Sequence, residues 1–249
     1  MKVVTPPSLR LLQVTHRHAN QPVLEQVCLN LQAAESVAIV GPSGCGKTTL
    51  LNIAANLVQP WEGEVVNGFE RTGVMFQQPR LLPWLTTRDN IALGLKAMGV
   101  SRLRREQVAA QLATDMGLTL DDLDKHPAEL SGGMQSRAAL ARAFAIQPDL
   151  LLLDEAFSSL DIGLKSELYQ QLLRHQIQFQ TAILMVTHDL MEAVRLADRI
   201  VVLSGQPGRI CTELSLALPT TQRTDAWVYQ HTADLLALRD VRTAFALPI

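Results

Sequence analysis

Ser36-Val37-Ala38-Ile39-Val40, then Gly41-Pro42-Ser43-Gly44-Cys45-Gly46, then Lys47-Thr48-Thr49-Leu50-Leu51: a β-branched apolar run, a glycine-rich turn and a second apolar run follow one another without interruption. The first run predicts a buried strand, and the last opens a helix from about Lys47 to Leu57. Between them, residues 41–48 fit the pattern G-x4-G-K-[ST]. Glycines at those places let successive backbone N–H groups converge on phosphate oxygens, and the start of a helix adds partial positive charge. Lys47 is then expected to reach the β and γ phosphates of ATP, and the Thr48 hydroxyl to ligate Mg²⁺. By residue frequencies alone the pattern arises in about 1% of chains this long, and the strand and helix around it make a chance turn rarer still. Gly41, Pro42, Ser43, Gly44, Cys45, Gly46, Lys47, Thr48 and Thr49 are therefore candidate nucleotide contacts. Cys45 has two readings: a thiol acidified by phosphate-facing amides, or a small side chain filling space.

A second apolar run, Leu150-Leu151-Leu152-Leu153, ends in Asp154-Glu155. Four consecutive leucines predict a parallel strand buried on both faces. Sheets of this kind bind ligands at the carboxyl edge, so Asp154 is expected to hold Mg²⁺, directly or through water. Glu155 is the candidate to polarise the attacking water. Further strands are predicted at 182–186 and 199–203, all in one central sheet. Between Arg88 and Ile146 the pattern turns Ala-, Leu- and Gln-rich with helical spacing, around 102–116 and 134–146, which predicts a helical insertion. The tail from about Asp225 to Leu247 predicts one more amphipathic helix.

Length and composition agree with one large α/β domain: 249 residues, 47% hydrophobic and only 4% aromatic. A formal charge of −2 provides no basic field for nucleic acid or anionic lipid. Three cysteines without CxxC spacing argue against a disulfide framework or a zinc site. The first residues lack the apolar core of a secretory signal, and no apolar run is long enough to cross a bilayer. Any membrane association is expected to come through a protein partner.

One more stretch changes the reading. Leu130-Ser131-Gly132-Gly133-Met134-Gln135, continuing through Ser136-Arg137-Ala138-Ala139-Leu140-Ala141-Arg142-Ala143, closely resembles the signature sequence of ATP-binding cassette (ABC) ATPases. With the motifs above, in the family's order, the resemblance covers about residues 9–210. The Ser131 hydroxyl, the amides of Gly132 and Gly133, and the helix start are suited to a second anion. The family implies which anion: the γ-phosphate held by the Lys47 loop of a second copy, so that two ATP molecules join a head-to-tail dimer. It also implies an α/β P-loop NTPase fold with a mostly parallel central sheet, antiparallel β elements near the N-terminus and an inserted helical subdomain. The expected division is 1–87 and 148–215 as nucleotide core, 88–147 as helical subdomain and 216–249 as helical tail.

The same resemblance assigns further roles. Gln77 matches the glutamine that contacts Mg²⁺ or water and links the site to a membrane partner. Ser159-Leu160-Asp161 matches the segment that touches the opposite subunit, and His188 the histidine near the γ-phosphate. Asp189 is expected, on capping grounds alone, to cap a helix at 190–197 with Glu192 in the capping-box position. The family's adenine-stacking aromatic falls near His16 to His18, where no Tyr stands and His18 is the best substitute. Ala156 replaces the usual Pro after the catalytic Glu, and Ala34 the usual Gly before Glu35.

Phe76-Gln77-Gln78-Pro79-Arg80-Leu81-Leu82-Pro83-Trp84-Leu85-Thr86 is similar to importer cassettes of the nitrate, sulfonate and taurine group, as are residues 187–199 and 204–210. An apolar, Pro-bounded segment after Gln77 could accept a short permease helix; the alternative is that Leu81, Leu82 and Trp84 pack in the core. The resemblance thus implies an ATP-hydrolysing importer subunit, peripheral at the cytoplasmic face of the cell membrane through an integral permease. A solute-binding protein takes part indirectly, and nucleic acid does not. The alternatives are a soluble ABC-type ATPase of assembly or repair, and a binding subunit that barely hydrolyses.

Overall fold

The computed structural model describes residues 6–158 and 160–246. Two sheets form. In chain order the strands are β1 (Ser8–His18), β2 (Gln21–Gln32), β3 (Ser36–Val40), β4 (Glu62–Asn67), β5 (Thr72–Met75), β6 (Leu150–Asp154), β7 (Ala182–Thr187), β8 (Arg199–Ser204) and β9 (Arg209–Ser215). The smaller sheet has order β2-β1-β4 and is antiparallel throughout. The larger has order β5-β6-β7-β3-β8-β9, parallel except for β9. Every residue of β3, β6 and β7 is buried, as unbroken apolar runs require when both faces of a parallel sheet are covered. By contrast β9 alternates exposed and half-buried residues, which suits the edge it occupies.

The helices are α1 (Lys47–Ala54), α2 (Thr87–Ile91), α3 (Leu93–Ala97), α4 (Arg102–Asp115), α5 (Gly132–Ala145), α6 (Ile162–Phe179), α7 (Leu190–Leu196), α8 (Asp225–Ala237) and α9 (Arg239–Ala244). Among the described residues no helix is long and apolar enough to cross a membrane. The first helix stops earlier than the sequence predicts, because Asn56 adopts a left-handed conformation at φ 57° and turns the chain. The predicted single tail helix is two, broken at Leu238 in extended backbone. Between β5 and β6 lie α2 to α5, with α5 buried along Ala138, Ala139, Leu140, Ala141, Phe144 and Ala145. Small side chains on that helix let its neighbours approach closely.

Three buried polar side chains fix segments that packing alone leaves free. Asn90 is fully buried; its Oδ1 accepts from the Leu82 amide at 2.7 Å, and its Nδ2 donates toward the carbonyls of Leu82, Leu85 and Thr86 at 3.0–3.1 Å. This shapes the loop at 82–86. Arg223 donates to the carbonyls of Val194 at 2.6 Å and Ala197 at 2.7 Å, which closes the C-terminal end of α7. His175 on α6 stacks on Phe144 at 3.9 Å and lies 4.6 Å from Phe179.

Burial pushes the His175 pKa down to about 4. A histidine depressed from about 6.5 contributes stability that is present above the unfolded value and lost as pH falls through the folded one. Between pH 7 and 4.5 the loss from this group is on the order of 2 kcal/mol. Urea unfolding at both pH values is expected to show His175→Phe shedding that part of the acid sensitivity; equal sensitivity in both proteins would remove His175 from the account.

Candidate active site

The strand that the opening stretch predicts delivers its loop to the carboxyl edge of the large sheet, between β7 and β8. Gly46 is the N-cap of α1 with φ 96°, a conformation favoured only for glycine. A Cβ there would also fall 2.7 Å from Leu24 Cδ2 and 3.0 Å from the Val23 carbonyl, so the antiparallel sheet braces the loop. Gly41 allows a comparably close approach to the Leu203 carbonyl. Lys47 is only 5% exposed. Its Nζ donates to the carbonyls of Gly41 and Pro42, each at 2.8 Å, and makes no ion pair among the described residues. A buried ammonium held by loop carbonyls alone is a charge prepared for an anion.

Cys45 is 1% exposed. Burial pushes its thiol pKa up, against the opposing charge of Lys47. The acidified-thiol reading therefore fails and the space-filling one stands, with Gly208 packed against the Cys45 carbonyl. Iodoacetamide is expected to modify exposed Cys28 and Cys211 first, and modification of Cys45 to block nucleotide binding through bulk, with ATP protecting. Undiminished hydrolysis after complete labelling would contradict this.

Thr48 Oγ1 donates to Asp154 Oδ1 at 2.9 Å, so two of the three predicted metal ligands are already paired. Asp154 is 7% exposed; burial raises its pKa, the Thr48 bond opposes the rise and the charge of Glu155 adds to it. Glu155 sits at φ 45°, a left-handed conformation costing about 1–3 kcal/mol outside glycine. Its amide donates to the Val186 carbonyl at 2.9 Å, and the Ser158 hydroxyl donates to its carbonyl at 2.9 Å. That backbone turn aims the carboxylate sideways. Glu155 Oε2 lies 3.4 Å from Gln77 Nε2 and 3.2 Å from His188 Nδ1. Gln77, Glu155 and His188, from three separate loops, thus converge on one oxygen. Sequence reasoning missed Ser158, whose contact with Glu155 leaves no pattern of its own.

Other predicted residues stand apart. Ser131 caps α5, accepting from the Met134 amide at 3.3 Å. Ser131 and Gly132 are exposed, and a Cβ on Gly132 would meet open space. Among the described residues no hydrogen bond joins Ser131 to the 41–48 loop of the same copy. Asp161 caps α6 through the Leu164 amide at 3.0 Å; Ser159 lies outside the described residues. His18 is exposed at the end of β1, opposite Gln21, while Val23 and Leu24 of the same sheet lie against Gly46. Asp189 caps α7 as expected, accepting from the Met191 and Glu192 amides at 2.9 and 3.2 Å. Glu192 does not complete a capping box; it is buried and accepts from the Tyr169 hydroxyl at 2.8 Å. Leu81 packs inward, whereas Trp84 is 71% exposed, so the packing alternative holds for the leucine and fails for the tryptophan.

Among the described residues no three His, Cys, Asp or Glu side chains are grouped as a metal cage. The directly bonded Thr48 hydroxyl and Asp154 carboxylate are hard oxygen donors of the kind that would suit Mg²⁺ shared with phosphate, while Gln77 Nε2 faces Glu155. The match with known proteins runs the same way. A family model described as ABC transporter matches residues 24–158, more than half of the chain. An ATP-binding protein of Brucella abortus (strain 2308) is 40% identical over 227 residues, 88% of this chain and 86% of its own. The taurine import ATP-binding protein TauB of Escherichia coli (strain K12) is 39% identical over 217 residues, 83% of this chain and 84% of its own. The dimeric structure of MJ0796, a bacterial ABC transporter cassette, superposes with TM-score 0.77 at 31% identity over 85% of this chain and 100% of that one. A dimeric post-hydrolysis state of MJ0796 bound to ADP and Pi gives 0.76 at 31% identity. At that coverage and identity the likeness extends to sequence as well as fold, and the chain belongs to the ABC transporter family.

Proposed function

We propose that this chain is the ATP-hydrolysing subunit of an importer, working as a head-to-tail pair beneath an integral membrane permease at the cytoplasmic face of the cell membrane. The observation that carries the hydrolytic part is the convergence of Gln77 and His188 on Glu155, next to the Thr48–Asp154 pair. The importer part draws on the likeness to a taurine import ATP-binding protein and on exposed Trp84. A solute-binding protein would feed the permease, and a small sulfonate, taurine or nitrate is the class of solute.

Substrate ATP is taken up as Lys47 exchanges the Gly41 and Pro42 carbonyls for phosphate oxygens, with the loop amides and residues 41–49 surrounding the triphosphate. Thr48, Gln77 and Asp154 would hold Mg²⁺, which supplies charge neutralisation. Ser131, Gly132 and Gly133 of the second copy close the site, and Asp161 lies at the same seam. His18 is assigned beside the base. Glu155 accepts a proton from water while His188 fixes the carboxylate and the developing charge. In this scheme 1–87 and 148–215 form the nucleotide core, 88–147 the helical subdomain and 216–249 the tail.

The test is uptake by proteoliposomes holding the tagged chain with the membrane protein it co-purifies with. ATP-dependent accumulation of taurine, an alkanesulfonate or nitrate is expected. Co-purification with soluble proteins alone, and ATP turnover without a membrane partner, would move the function to a soluble machine.

A further inference from the structure

The helix that begins at Ser131 ends in a grip on the loop that follows Gln77. Arg142, three residues before the C-terminus of α5, donates through one terminal nitrogen to the Pro79 carbonyl at 2.7 Å and through the other to the Arg80 carbonyl at 2.8 Å. It is half-buried and forms no ion pair among the described residues. A half-buried guanidinium bonded to two consecutive carbonyls fixes the orientation of both peptides, which a point-charge ammonium does not do. The gripped backbone is unusual: Arg80 lies at φ 44°, with its own guanidinium 4.2 Å from the centre of the Phe76 ring. Such a conformation persists only where its surroundings over-determine it. Beyond it Leu81 turns inward, Asn90 holds the carbonyls of Leu82, Leu85 and Thr86, and Trp84 points out to solvent.

The segment 79–86 is therefore held at one end by α5 and at the other by α2, two helices in contact. Ser131 and Arg142 are eleven residues apart on one continuous helix, about 16 Å at 1.5 Å per residue. A force at the Ser131 end reaches the Arg142 end because the hydrogen-bonded rod between them does not bend at that length.

We infer that Arg142 is a positioning residue, the joint that passes movement of the Ser131 helix end to the 79–86 segment. The inference rests on the proposed closure of Ser131 over nucleotide held by a second copy, and adds how that closure reaches the surface bearing Trp84. It predicts that nucleotide slows amide exchange in both regions, and that breaking the fork uncouples them.

The experiment is hydrogen exchange by mass spectrometry on the full-length chain carrying Glu155→Gln, with and without Mg-ATP. In this parent, nucleotide is expected to slow exchange about tenfold at 131–142 and at 81–86. Adding Arg142→Gln is expected to keep the slowing at 131–142 and reduce that at 81–86 to less than about twofold. The amides read at 81–86 are not partners of Arg142, which binds carbonyls, so loss of its own bonds does not produce the signal directly. Thermal unfolding checks that the variant is folded; if it is not, Arg142→Lys, which keeps charge and stem but loses the fork, decides by the same criterion. Undiminished slowing at 81–86 in the folded variant overturns the joint while leaving the closure intact. No slowing at 131–142 in the parent overturns the closure, and the joint with it.

Discussion

Lys47→Ala is expected to abolish ATP turnover, with loss of binding as the first cause. Lys47 is buried and among the described residues its Nζ has only the Gly41 and Pro42 carbonyls as partners, so its charge is not committed there to a carboxylate that nucleotide would have to displace. Charge-assisted hydrogen bonds contribute about 1.5–3 kcal/mol each, which places the loss of affinity at roughly 10- to 100-fold for one phosphate contact. Removing a fixed charge aimed at a transferring phosphoryl group costs a further factor on the order of 10²–10³ in turnover. Lys47→Arg is not expected to restore activity, because a planar fork does not fit where a compact ammonium meets two convergent carbonyls. Binding of a fluorescent ATP analogue and steady phosphate release measure the two effects separately. Turnover within about threefold of the parent would show that the loop does not hold the reacting phosphate.

Glu155→Gln is expected to separate binding from chemistry. The amide keeps the shape of the carboxylate and can still accept from His188 Nδ1, so the convergent geometry survives. What disappears is the ability to take a proton, and loss of a general base costs about 10²–10⁴ in rate. A negative charge also leaves the site. Glu155 is one of the causes that raise the Asp154 pKa, so the substitution favours an ionised Asp154 and eases the approach of triphosphate. ATP affinity is therefore expected to hold or rise, and the ATP-loaded variant to elute from size exclusion as a stable dimer. Full turnover in the variant would assign the base to another residue; a strictly monomeric, ATP-loaded variant would undo the shared site.

The fold and the site were legible where the signal is local. Unbroken apolar runs gave β3, β6, β7 and β8 to within a residue or two, because a strand covered on both faces has no polar position to blur its ends. Asp189 was readable as a cap because the amides it accepts from are two and three residues away. The failures are contacts between distant segments. Glu192 carries the local signature of a capping box, yet Tyr169, on another helix, takes its carboxylate inward. Asn90 and Arg142 serve carbonyls of a loop with no periodicity. The antiparallel β9 edge and the break at Leu238 likewise follow from what each segment packs against. That Val23 and Leu24 brace Gly46 from the antiparallel sheet is likewise a contact between distant segments.

Arg223 gives the C-terminal region an influence out of proportion to its size. By closing one end of α7 it anchors a short rod whose other end starts beside His188. In the proposed scheme, a load applied to the segment around Arg223 is expected to reach His188 through α7, so a module grafted beyond α9 offers a handle for engineering a cassette whose turnover answers to an outside cue.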